Sequence, residues 1–154
     1  MKTIIFILLL LPAIVFSQNL TGRQTATLYA SKTSQFFIAG MWEGAKDATD
    51  HHYNRVKALL PFLNDQYFNN DLSWRNKHLN GDPDQGPAFP LATGPLVSLT
   101  DFWHHANYKR TKHIVISAVI PLWTKPDLKD LAIQLVSYTI AFNAGKALVN
   151  DVIF

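Results

Sequence analysis

The sequence predicts an all-α fold: a compact helical bundle of three to five helices with one long ordered loop, preceded by a signal peptide. Three observations carry this expectation. Apolar residues recur at helical spacing over residues 34–60, 95–113 and 128–149. Turn-forming residues crowd the stretch between the first two of these segments, and Ile114-Val115-Ile116, which alone could be a strand, is flanked by helical periodicity that favours a helix. The chain opens on Met1-Lys2, an apolar run over residues 4–16 and then Ser17. A positive charge, a short apolar core and a small residue at its exit are the parts of an export signal.

The apolar run has 13 residues, against about 20 needed to span a bilayer, so cleavage near Ser17 is expected rather than an anchor. No cysteine follows it, which excludes a lipoprotein attachment. The chain then divides into a signal peptide over 1–17, a flexible, polar lead-in over 18–33 and a single helical domain over 34–154. The destination is a bacterial envelope, either the periplasm or a membrane surface. Removal of the signal leaves about 137 residues, the size of one domain. The total absence of cysteine rules out disulfides, thiolate metal sites and cysteine nucleophiles. A net charge of +3 is too small to argue for nucleic acid as a partner. The local basic cluster Lys109-Arg110-Thr111-Lys112-His113 precedes an apolar run over 114–123, an arrangement suited to a membrane surface or a solvated helix end.

The first helix is expected from an N-cap at Ser34 to Pro61, with Ile38, Met41, Ala45, Ala48, His52, Val56 and Leu59 forming its buried stripe. Residues 61–95 read as the long loop, anchored by Phe62, Tyr67, Phe68, Trp74 and Phe89. Thr93-Gly94-Pro95 reads as the start of a second helix that continues past His113 and breaks at Pro121. Pro126-Asp127 precedes the last helix. That helix is apolar almost all round except for a narrow stripe of Thr139, Asn143, Lys146 and Asn150, which places it in a core or against a membrane.

Candidate chemistry gathers at histidines. Glu43, Asp47 and Asp50 project to one side of the first helix with His51 at its edge; alone, such a face is a solvated surface. On the second helix Asp101, His105 and Tyr108 fall on one face at spacings of four and three, with His104 off it. A carboxylate one turn from a histidine can orient the imidazole, and histidine is the natural acid or base near neutral pH. Two helices thus each carry a double histidine beside a carboxylate. Should they meet, Asp101, His105 and His52 form a catalytic set, and His51, His52, Glu43, Asp47 and His105 a nitrogen–oxygen set suited to a divalent metal such as zinc, iron or manganese. Arg75 and Lys77, on the loop beside Trp74, could supply an anion contact there. Ser73, Ser98 and Ser117 lack the Gly-x-Ser-x-Gly context of a serine hydrolase.

The run Lys112-His113-Ile114-Val115-Ile116-Ser117-Ala118, followed by Phe142-Asn143-Ala144-Gly145-Lys146-Ala147-Leu148-Val149-Asn150-Asp151, resembles the C-terminal half of YfiM-like exported bacterial proteins. His113, Gly145, Lys146 and Asp151 occupy the matching positions. The chain departs from that pattern at Ala147, where an acidic residue is expected, and at Lys109-Arg110, where an aspartate–lysine pair is expected. The segments Gly40-Met41-Trp42-Glu43-Gly44, His51-His52-Tyr53, Ser73-Trp74-Arg75-Asn76-Lys77 and Thr100-Asp101-Phe102-Trp103-His104 also resemble signatures of uncharacterised exported bacterial proteins. The resemblance implies location in the envelope, not a chemistry. Two functions are therefore expected as alternatives: a helical envelope protein associated with a membrane or an envelope partner, or a small hydrolase or metal-binding protein using His, Asp and Glu from two helices.

Overall fold

A computed structural model describes residues 23–119 and 128–154. The expected signal peptide and the expected break at Pro121 lie outside the described residues. The fold is all-α, and the described residues contain no strand, only an isolated bridge between His78 and Pro87. Three long helices carry it: α1 (Arg23–His51), α5 (Phe102–Val119) and α6 (Leu128–Ala147). Between α1 and α5 lie α2 (Tyr53–Leu59), α3 (Asp65–Phe68), α4 (Asn70–Ser73) and four short 3-10 turns.

α1 is the common partner of the other two long helices. Against α5, Lys46 meets Trp103, Glu43 meets Arg110 and Gln35 meets His113, so the two run antiparallel. Against α6, Tyr29 meets Gln134, Phe36 stacks on Tyr138 at 4.7 Å, and Gly40 meets Phe142, so these two run parallel. The α1–α6 contact explains three glycines within these helices, where each costs about 1 kcal/mol relative to alanine. A Cβ on Gly40 would overlap the Phe142 carbonyl, one on Gly44 the Lys146 carbonyl, and one on Gly145 the Phe37 carbonyl. The backbones meet because these side chains are absent.

The interior is correspondingly small and polar. Its buried apolar residues are Tyr29, Ala39, Ala48, Val56, Ala92, Ala106, Ala141 and Val149, and beside them lie Lys32, Thr49, Ser117, Gln134 and Ser137. Large apolar side chains point the other way on α6: Leu128, Leu131, Leu135, Val136 and Ile140 are exposed. Projected at 100° per residue, the exposed positions of α6 fill one half of the wheel, and Gln134, Ser137, Ala141 and Gly145 fill the half against α1.

Several boundaries differ from expectation. Residues 23–33 are not a flexible lead-in but the first turns of α1, and Ser34 is inside it, its hydroxyl donating to the Ser31 carbonyl. Tyr29 and Lys32, polar at one end and aliphatic or aromatic along the stem, bury against the bundle and hide the periodicity. α1 ends at His51, because His52 leaves the helical region (φ −133°, ψ 30°) before α2 begins. α2 does stop before Pro61, at Leu59. Its exit is tied by Asp65, which accepts from Tyr53 Oη and Lys57 Nζ, both at 2.6 Å. The turn-forming residues of the loop become caps: Asn64, Asn69 and Asp82 accept from the backbone N–H two residues on. Phe68 anchors the loop on Phe102 at 4.9 Å, whereas Phe62 stands exposed. Thr93-Gly94-Pro95 opens no long helix; a 3-10 turn over Val97–Leu99 follows, and α5 starts only after Asp101. α5 continues to Val119 without becoming a strand, and a π-helical turn over Leu148–Ile153 follows α6.

Candidate functional site

Asp101 is the most buried carboxylate among the described residues, at 1 % exposure. It stands just before α5, where a side-chain oxygen can satisfy a free N–H of the first turn. Its Oδ1 accepts from the His104 backbone N–H at 2.8 Å, and its Oδ2 accepts from Thr100 Oγ1 at 3.0 Å. The His104 ring closes the arrangement, with Nδ1 at 2.8 Å from both carboxylate oxygens. This carboxylate fixes the hydrogen on Nδ1, so neutral His104 presents Nε2 as a lone-pair acceptor at a half-buried ring. Asn76 braces the preceding residue, donating Nδ2 to the carbonyls of Thr100 and Gln66. Burial first, and then the negative Asp101, push the nearby Tyr67 hydroxyl above its ordinary value.

The expected partner of Asp101 was His105, and the structure replaces it with His104. The spacing argument assumed that Asp101 was helical; as a cap its side chain folds over the third residue of the helix, not the fourth. His105 keeps only a backbone bond from its N–H to the Asp101 carbonyl at 3.1 Å, and its ring packs edge-on against Trp42 at 5.9 Å. His104 was legible as Asp-x-x-His at a helix start, a relative of the capping box, had the start been placed correctly.

The acidic face of α1 is not a solvated surface. Glu43 accepts from Lys46 Nζ at 2.8 Å and from Arg110 at 2.6 Å, and Asp47 pairs with Lys146 at 2.6 Å. Lys46 also lies over the Trp103 ring, 5.5 Å from its centroid. Two carboxylates and three cations thus lock α1 to both α5 and α6. Burial alone would raise the Glu43 carboxyl, but the hydrogen bonds and charges of Lys46 and Arg110 outweigh it and hold the group below its usual range. Asp47 holds the Lys146 ammonium above its usual value by hydrogen bond and charge, against the effect of burial. Lys146 therefore leaves the polar stripe expected on α6, while Thr139 and Asn143 stay exposed and bond back to carbonyls of their own helix.

The expected metal set does not assemble. Glu43 and Asp47 are engaged by cations, His105 lies on Trp42, and His51 and His52 are exposed at the end of α1. His52 was expected on the buried stripe, but the helix breaks at it and turns it out. His51 Nε2 is 3.7 Å from Asp50, whose other oxygen accepts from Asn70 at 2.6 Å. Among the described residues no group of three His, Asp or Glu side chains is placed to hold a metal ion. His113, the histidine of the family resemblance, bonds through Nδ1 to Gln35 at 2.7 Å. Burial first, then Lys112 and Lys109, lower its pKa. Arg75 lines a cleft of the loop region; Lys77 does not. Among the described residues no helix is long and apolar enough to cross a membrane. The chain matches no protein-family model, no curated protein and no solved structure.

Proposed function

We propose that the protein is an exported envelope protein that rests on a membrane surface by the outward face of α6. The observation that carries this reading is the inverted distribution of side chains on that helix. Leu128, Leu131, Leu135, Val136 and Ile140 face outward, and Gln134, Ser137, Ala141 and Gly145 face α1. Single exposed apolar residues are ordinary, but a continuous stripe of them marks an interaction surface. Close backbone approach through glycines, with polar groups bonded inside, is the way helices associate where water does not drive them together. Tyr29, Gln134 and Tyr138 form such an internal chain, with Gln134 donating to Tyr29 at 2.8 Å and accepting from Tyr138 at 3.2 Å.

The stripe from Leu128 to Ile140 is about 18 Å long at 1.5 Å per residue, well short of the roughly 30 Å hydrocarbon core. It suits a helix lying in the interface, not one crossing it. The export signal read in residues 1–17 and the resemblance to envelope proteins supply the address. Fractionation of cells expressing the chain tests the reading: the protein is expected with the membranes and released by detergent. Full recovery in the soluble periplasmic fraction after osmotic shock contradicts it, as does co-purification with one envelope protein in detergent.

A second reading, acid–base chemistry at His104, is supported by the buried Asp101 that orients its ring. It requires that hydrolytic turnover by the purified protein vanish in H104A and persist in H105A.

A further inference from the structure

The loop region carries a polar cleft of about 470 Å³ whose walls include Gln66, Arg75, Asn76, His78, Asn80 and Gly81. Its size is that of a site for a small molecule. Its backbone is fixed by a compact set of turns. His78 N–H donates to the Arg75 carbonyl, Gly81 N–H to the His78 carbonyl, and Leu79 N–H to the Gly86 carbonyl. Asn80 and Gly81 take left-handed conformations (φ 53° and 76°), which reverse the chain around the cleft.

Most polar groups on these walls are already satisfied. Gln66 Nε2 donates to Asn76 Oδ1, Asn76 Nδ2 donates to two carbonyls, and Asn80 Nδ2 donates to Gln85. Two groups are not. Arg75 takes part in no ion pair or hydrogen bond of its side chain among the described residues. His78 Nδ1 is buried and has no hydrogen-bond partner. An unpaired buried ring nitrogen costs free energy that a ligand can recover. Both side chains are held in place by Trp74: the Arg75 guanidinium lies 5.4 Å from the indole centroid, and the His78 ring meets it edge-on at 6.2 Å. The aliphatic stem of Arg75 also rests on Gly81, where an added Cβ would stand 3.5 Å from Arg75 Cβ. The neighbouring carboxylate, Asp82, is engaged by the Asp84 backbone N–H and the Gln85 side chain.

The geometry points to this cleft as a binding site for a small oxyanion, a carboxylate or a phosphate, held by the Arg75 guanidinium and the His78 imidazole. A planar guanidinium held over an indole face at 5.4 Å and free of intramolecular hydrogen bonds can offer two parallel hydrogen bonds to such a group. The cleft belongs to the end of the bundle where α1 finishes and α5 begins, whereas the stretch of α6 that bears the apolar stripe packs beside Tyr29 and Phe36 in the first half of α1. The inference is therefore independent of the membrane reading.

Inorganic phosphate and acetate, titrated separately into the purified protein at constant ionic strength and followed by amide chemical shifts, test it. Saturable shifts confined to residues 75–81 and their neighbours are expected with at least one probe. Saturation by phosphate alone narrows the class to phosphates. R75Q, a change at an exposed side chain, should weaken binding about tenfold or more, the loss of one charge-assisted pair. R55Q, at an exposed cation outside the cleft, should leave it unchanged. Saturable binding that survives R75Q, shifts that do not saturate and spread over all surface cations, or no response to either probe overturns the assignment.

Discussion

Asp101 concentrates more hydrogen bonds in less exposed space than any other carboxylate among the described residues, and its chief work is to start α5. Asp101→Ala strands the His104 N–H at the first turn of α5, while the Thr100 hydroxyl keeps the Val97 carbonyl at 2.8 Å, so we expect a loss of about 1–2 kcal/mol in urea unfolding. His104→Ala leaves the cap in place and should cost about half as much; the reverse order would mean that the ring, not the cap, is the structural element. Tyr138 gives a pH signature. Burial first, and then the neighbouring Tyr29, push its hydroxyl up to about 12. A raised folded value means that its contribution is complete below the unfolded value near 10 and lost as pH rises through the folded one. Stability should therefore fall between about pH 10 and 12, and Y138F should flatten that part of the curve. An unchanged curve in Y138F would place the alkaline transition elsewhere. The residues that sequence alone placed best were those whose role is local: Asn64, Asn69 and Asp82 cap turns because their side chains reach their own backbone. The pairing of Asp101 was missed by one residue because helical spacing does not hold at a cap.

α1 and α6 are joined through backbone where other helix pairs use side chains. G40A and G145A each force a methyl into a carbonyl of the facing helix, Phe142 and Phe37 respectively, so separation of the helices is required. Each should destabilise the protein by about 2–3 kcal/mol, although alanine is the better helix former by about 1 kcal/mol. G86A is the control for glycine loss itself: a Cβ there meets nothing within 4 Å, and its positive φ (84°) alone predicts a cost of about 1 kcal/mol. Equal thermal shifts in the three variants would contradict the close contact. Glycine at positions 40, 44 and 145 permits close approach of a neighbour, but the sequence does not say which helices approach. That pairing depends on contacts about a hundred residues apart, such as Phe36 with Tyr138, which no local pattern encodes. The same limit applies to the acidic face of α1. Glu43 and Asp47 look solvated in isolation because Arg110 and Lys146 arrive from distant helices.

At the scale of the molecule, the all-α class and the single bundle were legible from periodicity and turn residues, while the orientation of the bundle was not. Periodicity tells that α6 is apolar nearly all round; only its packing shows that the small half faces α1 and the large half faces out. The basic residues Lys109 and Lys112 lie on α5, whose His113 meets Gln35 on α1. A cation contributes about 1 kcal/mol near an anionic surface and loses that in salt. Binding to anionic vesicles should therefore exceed binding to neutral ones at low salt and approach it at high salt; a gap that persists at high salt would point to specific lipid recognition. The most direct measurement is flotation of the purified mature protein with lipid vesicles, comparing the wild type with the double variant L135E/V136E. Both substituted side chains are exposed, so the bundle should fold in either form. The account predicts that the wild type floats with the vesicles and that the variant stays at the bottom of the gradient with an unchanged helical spectrum. A wild type that remains with the soluble fraction, or a variant that floats equally well, would contradict it.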